Sequence, residues 1–189
     1  MKKTLLILLL ILGILFTGCE KQEENPKVLI DIENYGQIEV ELYKEYAPIT
    51  VGNFLELVES KFYDGLTFHR IINGFMMQGG DPEGNGTGGS EKTIFGEFLN
   101  NGYRKNTLSH TRGVISMARS PYDNNSASSQ FFIVQKDSTS LDGDYAAFGK
   151  VTKGMEVVDK ICETVKVEDN NGTVLKENQP VIKSITIVQ

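Results

Sequence analysis

The chain has 189 residues, 40% hydrophobic and 23% charged, with a formal net charge of −6. That composition excludes a disordered or collagen-like chain and fits one globular domain. The acidity argues against binding nucleic acid or anionic lipid through bulk charge, and two cysteines, Cys19 and Cys162, are too few for a disulfide framework or a cysteine-built zinc site.

Lys2 and Lys3 precede an apolar run from Leu5 to Phe16, the length of a signal-peptide core and short of the ~20 residues a spanning helix needs. The run ends in Phe16-Thr17-Gly18-Cys19. Small residues before a cysteine resemble the lipobox of bacterial lipoproteins, with Phe16 where leucine is more usual. The resemblance implies a leader over residues 1–18, cleaved before a lipid-acylated Cys19. Residues 19–27 then form a polar tether. At no more than ~3.6 Å per residue it holds the domain, residues 28–189, within roughly 30 Å of the bilayer. The expected location is the extracytoplasmic face of the cell membrane. Loss of Lys2 and Lys3 takes the formal charge to −8.

Residues 27–33 and 36–43 alternate apolar and polar side chains, and Asn34-Tyr35-Gly36 reads as a hairpin connection. Pro48 marks a helix start, with Ile49, Val51, Phe54, Leu55 and Val58 on one stripe, predicting a helix from Pro48 to Ser60. Strand patterns return at 67–71, 75–78, 113–118, 130–135 and 146–151. A second amphipathic helix is predicted over 154–163, with Met155, Val158 and Ile161 on one side and Cys162 as a small buried residue. A polar segment, 166–179, carries no assigned function and leads to a last strand, 181–188. Many strands with two isolated helices predict a mainly β barrel or sandwich capped by helices.

Several motifs carry less than they suggest. Gly84-Asn85-Gly86-Thr87-Gly88-Gly89 satisfies G-x-G-x-x-G but follows the turn signal Asp81-Pro82, with no βαβ unit around it. Ser126, Ser128 and Ser129 lack a nucleophile elbow and read as turn residues. His69 and His110 lack the spacing of a zinc motif, and Asp142-Gly143-Asp144 is too brief for a calcium loop. The expectation is no metal and no cofactor.

The unusual segment is Phe68-His69-Arg70-Ile71-Ile72-Asn73-Gly74-Phe75-Met76-Met77-Gln78-Gly79-Gly80-Asp81. Strand alternation predicts that Phe68 and Arg70 share a face while His69 points away. Similar mixtures recur at Gly113–Ser120, Ser128–Val134 and Leu141–Val151. With these four blocks in this order and spacing, the chain resembles the cyclophilin family of peptidyl-prolyl cis/trans isomerases over residues 28–188. The resemblance implies a closed eight-stranded antiparallel β-barrel capped by two α-helices, with an active groove on the barrel's outer face.

The resemblance makes Arg70 the catalytic residue. It assigns Phe75, Met76, Phe132 and Leu141 to the pocket for the proline ring. Gln78 and Gln130 bond the peptide backbone, and Ala118 and Arg119 supply main-chain pairing. The extra positive charge at Arg119 is expected to alter the preference for acidic flanking residues. Two positions depart from the best-known members: Tyr145 replaces a histidine and keeps an aromatic wall, whereas Ser140 replaces a tryptophan and implies weak cyclosporin binding. The partners implied are proline-containing polypeptides, bound by a monomer. The competing reading is a proline-peptide binding module with little turnover, against which the retention of Arg70 argues.

Overall fold

Alternation governs the start of the domain. In the computed structural model, which describes residues 24–188, strand β1 (Lys27–Ile32) buries Val28, Ile30 and Ile32, and β2 (Gly36–Leu42) buries Ile38, Val40 and Leu42. The two pair antiparallel from Lys27 opposite Glu41 to Ile32 opposite Gly36. Their turn needs left-handed backbone at Asn34 (φ 64°) and Gly36 (φ 123°), residue types that tolerate it. The leader, Cys19 and the first half of the tether lie outside the described residues.

Helix α1 (Pro48–Glu59) buries Val51, Phe54 and Val58 as its stripe requires. Ile49, included in that stripe, is instead 48% exposed. The residue before the helix, Ala47, has no side chain to cap it. The carboxylate of buried Glu97 does so from 47 residues away, accepting the N–H groups of Ile49 (3.1 Å) and Thr50 (2.7 Å) and the Thr50 hydroxyl (2.7 Å). A carboxylate at the positive end of a helix satisfies donors that would otherwise lack partners.

The remaining strands are β3 (Thr67–Ile72), β4 (Met76–Asp81), β5 (Val114–Met117), β6 (Phe131–Val134), β7 (Ala147–Lys153) and β8 (Ile182–Ile187), with α2 (Met155–Thr164) after β7. The strands form one antiparallel sheet in the order β3-β4-β6-β5-β7-β2-β1-β8. The expected closed barrel is therefore corrected to an open half-barrel. The end strands β3 and β8 share no ladder; an isolated bridge joins Thr67 and Val181, and Phe68 N donates to Pro180 O (3.0 Å) and Ile182 N to Leu66 O (2.7 Å). The outer edge of β3 is taken instead by residues 172–174, where Gly172 O accepts from Ile71 N (2.8 Å) and Val174 N donates to His69 O (3.0 Å). Pro180 has no N–H to extend a ladder beside β8.

Residue faces decide where the site lies. Phe54, Tyr63, Phe68, Phe131 and Phe148 form the aromatic centre of the inner core, with Phe54 and Phe131 edge-to-face at 5.6 Å. α2 adds Val158, Ile161 and Cys162 to the same core, and burial pushes the Cys162 thiol up to about 12. Along β6, Phe131 and Ile133 face this core, while Phe132 and Val134 join a second cluster with Met76, Val114 and Ala147. The unbroken apolar run of β6 thus reflects two covered faces.

Strand β3 breaks the expected alternation. Phe68 pairs with Gly79 and Arg70 with Gln78, so His69 is an extra residue between them, a β-bulge. Phe68 consequently lies in the inner core while Arg70 faces outward, correcting the expectation that the two share a face. Gly79 makes this possible, because a Cβ there would stand 2.7 Å from Thr67 O and 2.8 Å from the Phe68 ring.

The bulge leaves His69 buried, and neither ring nitrogen has a hydrogen-bond partner. Burial holds the His69 imidazole below the usual histidine range, against Asp81 and with Arg70 reinforcing. The unfolded chain takes up this proton near pH 6.5, before the folded chain does. Stability is therefore full above that pH and falls as pH drops below it. Thermal unfolding followed by circular dichroism is expected to show a midpoint that declines from pH 7 to pH 5, and a smaller decline in His69→Leu.

Candidate active site

Four elements and their loops deliver one cavity. The bulged β3 turns out Arg70, the β3–β4 turn and β4 bring Phe75, Met76 and Gln78, and β6 brings Phe132. Beyond the end of β5 come Ala118 and Arg119, a short 3-10 turn (Thr139–Leu141) places Leu141, and Tyr145 lies just before β7. These residues line a hollow of about 140 Å³. Every site residue named from the sequence within the domain is here except Gln130. Phe132 and Tyr145 meet edge-to-face, 5.8 Å between centroids at 87°, so the aromatic wall expected of Tyr145 is present. Ser140 is exposed on the 3-10 turn and is not among the lining residues.

The guanidinium of Arg70 is fixed on one side and open on the other. Its Nε donates to Asn171 O (2.9 Å), Nη2 to Asn171 Oδ1 (3.3 Å) and Nη1 to Gln78 Oε1 (3.2 Å). Of five N–H groups, one on each terminal nitrogen is left for a bound molecule. Burial pulls its pKa below the ordinary arginine value, with Tyr145 and Asp169 opposing; the group stays protonated at neutral pH. The chain of bonds continues from Gln78 Nε2 to Gln130 Oε1 (2.9 Å) and from Gln130 Nε2 to Gly88 O (2.7 Å).

Gln130 belongs to a second hollow, of about 340 Å³, that shares Gln78, Ala118 and Arg119 with the first. Gly86-Thr87-Gly88, Ser126 and Ser128 also line it. The glycine stretch and the serines, read from sequence as loop and turn residues, are therefore also groove walls. Asp81 shapes that loop by accepting the N–H groups of Glu83 (2.9 Å) and Asn85 (3.1 Å) and that of Gly86. Burial pushes the Asp81 carboxyl up, but the backbone donors together outweigh it and leave it below the usual carboxylate range.

Arg119 lines both hollows and is held in place by its neighbours. Its Nε donates to Asp144 O and Nη1 to Ser120 O, both at 2.9 Å. The guanidinium lies 4.9 Å from the Tyr145 ring centre and 5.2 Å from that of Phe98. Two rings and two carbonyls hold the guanidinium in place.

The chain as a whole matches a known family. The model for "Cyclophilin type peptidyl-prolyl cis-trans isomerase/CLD" matches residues 27–189. The chain belongs to the cyclophilin family. It is 44% identical over 146 residues to peptidyl-prolyl cis-trans isomerase B of Bacillus subtilis, covering 77% of this chain and 92% of that one. It is 40% identical over 152 residues to peptidyl-prolyl cis-trans isomerase-like 3 of Dictyostelium discoideum, covering 80% and 89%. A cyclophilin-type isomerase of Cryptosporidium parvum, crystallised in the presence of the dipeptide Ala-Pro, superimposes with a TM-score of 0.74 and 34% identity over 86% of this chain and 99% of that one. The chain spans only 29% of a longer relative, isomerase-like 2 of Cryptococcus neoformans. As a cyclophilin, the chain is a peptidyl-prolyl cis-trans isomerase.

Asn171 was not legible from the sequence. It lies 101 residues from Arg70, in the polar segment given no function, and no local pattern marks it. Asn171→Ala keeps the carbonyl that holds Nε but removes Oδ1, a loss of ~1 kcal/mol of orientation. It is expected to lower kcat/KM for an Xaa-Pro peptide about fivefold, with the thermal midpoint unchanged.

Proposed function

We propose that Arg70 is the transition-state donor of a membrane-tethered isomerase acting on proline-containing chains exported across the cytoplasmic membrane. The observation that carries this reading is a protonated, half-buried guanidinium with unspent donors, clamped at the rim of a small hollow that Phe75, Met76, Phe132 and Leu141 also line.

The chemistry asks for little else. Rotation about an Xaa-Pro amide faces a barrier of ~18–20 kcal/mol because the C–N bond has double-bond character. As the bond twists, conjugation is lost and the proline nitrogen recovers its lone pair. It then accepts a hydrogen bond better than either planar isomer does. A donor at Arg70 strengthens with that change, so it lowers the barrier rather than merely tightening binding.

Phe75, Met76, Phe132 and Leu141 hold the proline ring and exclude water. Gln78, Gln130 and the main chain at Ala118 and Arg119 hold the peptide before it, along the larger hollow. Rotation is thereby confined to one bond. Uncatalysed isomerisation takes tens to hundreds of seconds; bringing it to milliseconds requires roughly 5.5–7 kcal/mol. A charge-assisted donor in a partly dry groove supplies ~3–4 kcal/mol, and the hold of Gln78, Gln130 and the main chain on the peptide supplies the rest. Every group comes from one chain, so a monomer suffices, and no cofactor enters the reaction.

The tether rests on the sequence alone. The leader, its small residues and Cys19 support lipid acylation, which keeps the domain near emerging chains where unfolded prolines are common. Ser140, small and exposed, supports weak cyclosporin binding.

Arg70→Ala tests the chemistry. In a protease-coupled assay on an Ala-Pro tetrapeptide, kcat/KM is expected to fall about 100-fold or more, while peptide affinity by NMR titration changes less than about threefold. Equal losses in both would mark Arg70 as a binding group and favour a recognition module. For the anchor, Cys19→Ser is expected to abolish labelled palmitate incorporation and release the protein from the membrane fraction. Its isomerase activity stays unchanged.

A further inference from the structure

Behind the proline cavity stands a buried imidazole that is not among its lining residues. His110 is fully buried. Its Nδ1 lies 2.8 Å from Asp142 Oδ1 and its Nε2 lies 3.0 Å from Ser116 Oγ. The ring stacks on Phe132, 6.0 Å between centroids at 17°, and meets Tyr145 edge-on at 6.4 Å. Asp142 also accepts the His110 backbone N–H (2.7 Å) and the Ser109 hydroxyl (2.6 Å). The His110 carbonyl accepts from Ser138 N (2.8 Å), at the start of the turn that carries Leu141.

Serine, histidine and aspartate in a line are the residue types of acyl transfer. Here they cannot act so, because Ser116 is completely buried on β5 and lies within the wall rather than in a cleft. What the three do hold is the cavity's back. Leu141 sits on a short turn with no strand ladder, and Asp142 follows it directly. Phe132 has its backbone in β6, yet its ring needs a neighbour to fix it. One imidazole reaches both, and Tyr145 as well.

We propose that His110 is a positioning residue for proline binding: with Asp142 it fixes the Phe132 ring and the Leu141 turn at the spacing that the proline ring requires. Burial holds the His110 imidazole below the usual histidine range, against the pull of Asp142. It is therefore neutral at pH 7, donating from Nδ1 to the Asp142 carboxylate and accepting the Ser116 hydroxyl proton at Nε2. Asp142 stays ionised. Burial pushes its carboxyl up, but Ser109 and the two His110 donors together bring it below the usual range.

This role separates cleanly from that of Arg70. A cavity that holds the proline ring equally in planar and twisted amides contributes uniform binding, and its loosening raises KM while kcat is kept. The loss of a transition-state donor lowers kcat instead. The inference rests on the proline-pocket reading above, and the two can fail separately.

The test uses Asp142→Asn, at an exposed position, and His110→Phe, which keeps a stacked ring but loses both bonds. Nitrogen-15 spectra of wild-type protein are expected to show His110 as the Nδ1–H tautomer, and Asp142→Asn to disturb that pattern. Isomerisation of an Ala-Pro tetrapeptide is expected to show KM raised about tenfold in either variant, with kcat within about twofold. Peptide titration by NMR should weaken in parallel. An Nε2–H tautomer in wild type overturns the assignment, as does an unchanged KM in Asp142→Asn. A drop in kcat that merely follows a lower thermal midpoint also overturns it. If His110→Phe does not fold, Asp142→Asn decides alone. Wild-type protein without turnover sinks the isomerase reading itself, whereas normal turnover that Asp142→Asn leaves untouched sinks only this proposal.

Discussion

One extra residue in one strand sets up everything on the outer face. Without the bulge at His69, Phe68 and Arg70 would share a side: either the core would lose an aromatic ring or the groove would lose its cation. With it, Phe68 packs on Phe131 at 5.9 Å inside while Arg70 reaches Gln78 outside. The local cost is a histidine buried without partners. Bulges beside functional sites commonly re-aim a side chain in this way.

From that re-aimed arginine a continuous set of bonds runs through Asn171, Gln78, Gln130 and Gly88. It joins the late polar segment, two strands and the glycine-bearing loop into one surface. Gln78 and Gln130 each accept from one neighbour and donate to the next, so the orientation of Gln78 is set by its neighbours. A guanidinium held on one edge loses less freedom when it meets a ligand with the other, which is the physical meaning of preorganisation here. Behind it, His110 and Asp142 do for the apolar wall what Asn171 does for the cation.

The strands were legible because burial imposes a period of two, and β1, β2 and the two helices were found within a residue or two of their ends. β4 ran further than its pattern suggested, through Gly79 and Gly80 to Asp81, because glycines carry no hydrophobic signal yet fit where Phe68 and Phe131 approach the backbone. The bulge was illegible for a related reason: a register shift depends on the partner strand. Barrel closure was over-read, since composition reports how many strands exist and not whether the first and last can pair. Among site residues, Arg70 and the apolar set stood out through their composition and resemblance. Asn171, Glu97 and the groove-lining glycines did not, because their roles exist only relative to residues distant in the chain.

The order of side chains by itself determined a mainly β domain, its two amphipathic helices, its family and the chemistry available to it. The elements follow from periodicity, and the family from the resemblance that four short blocks carry; both are local properties of the sequence. The tertiary structure alone decided which face Arg70 occupies, which carbonyls and rings meet Arg119, and that the sheet stays open between β3 and β8. Each of these depends on contacts between segments far apart in the chain, and such contacts leave no period in the sequence.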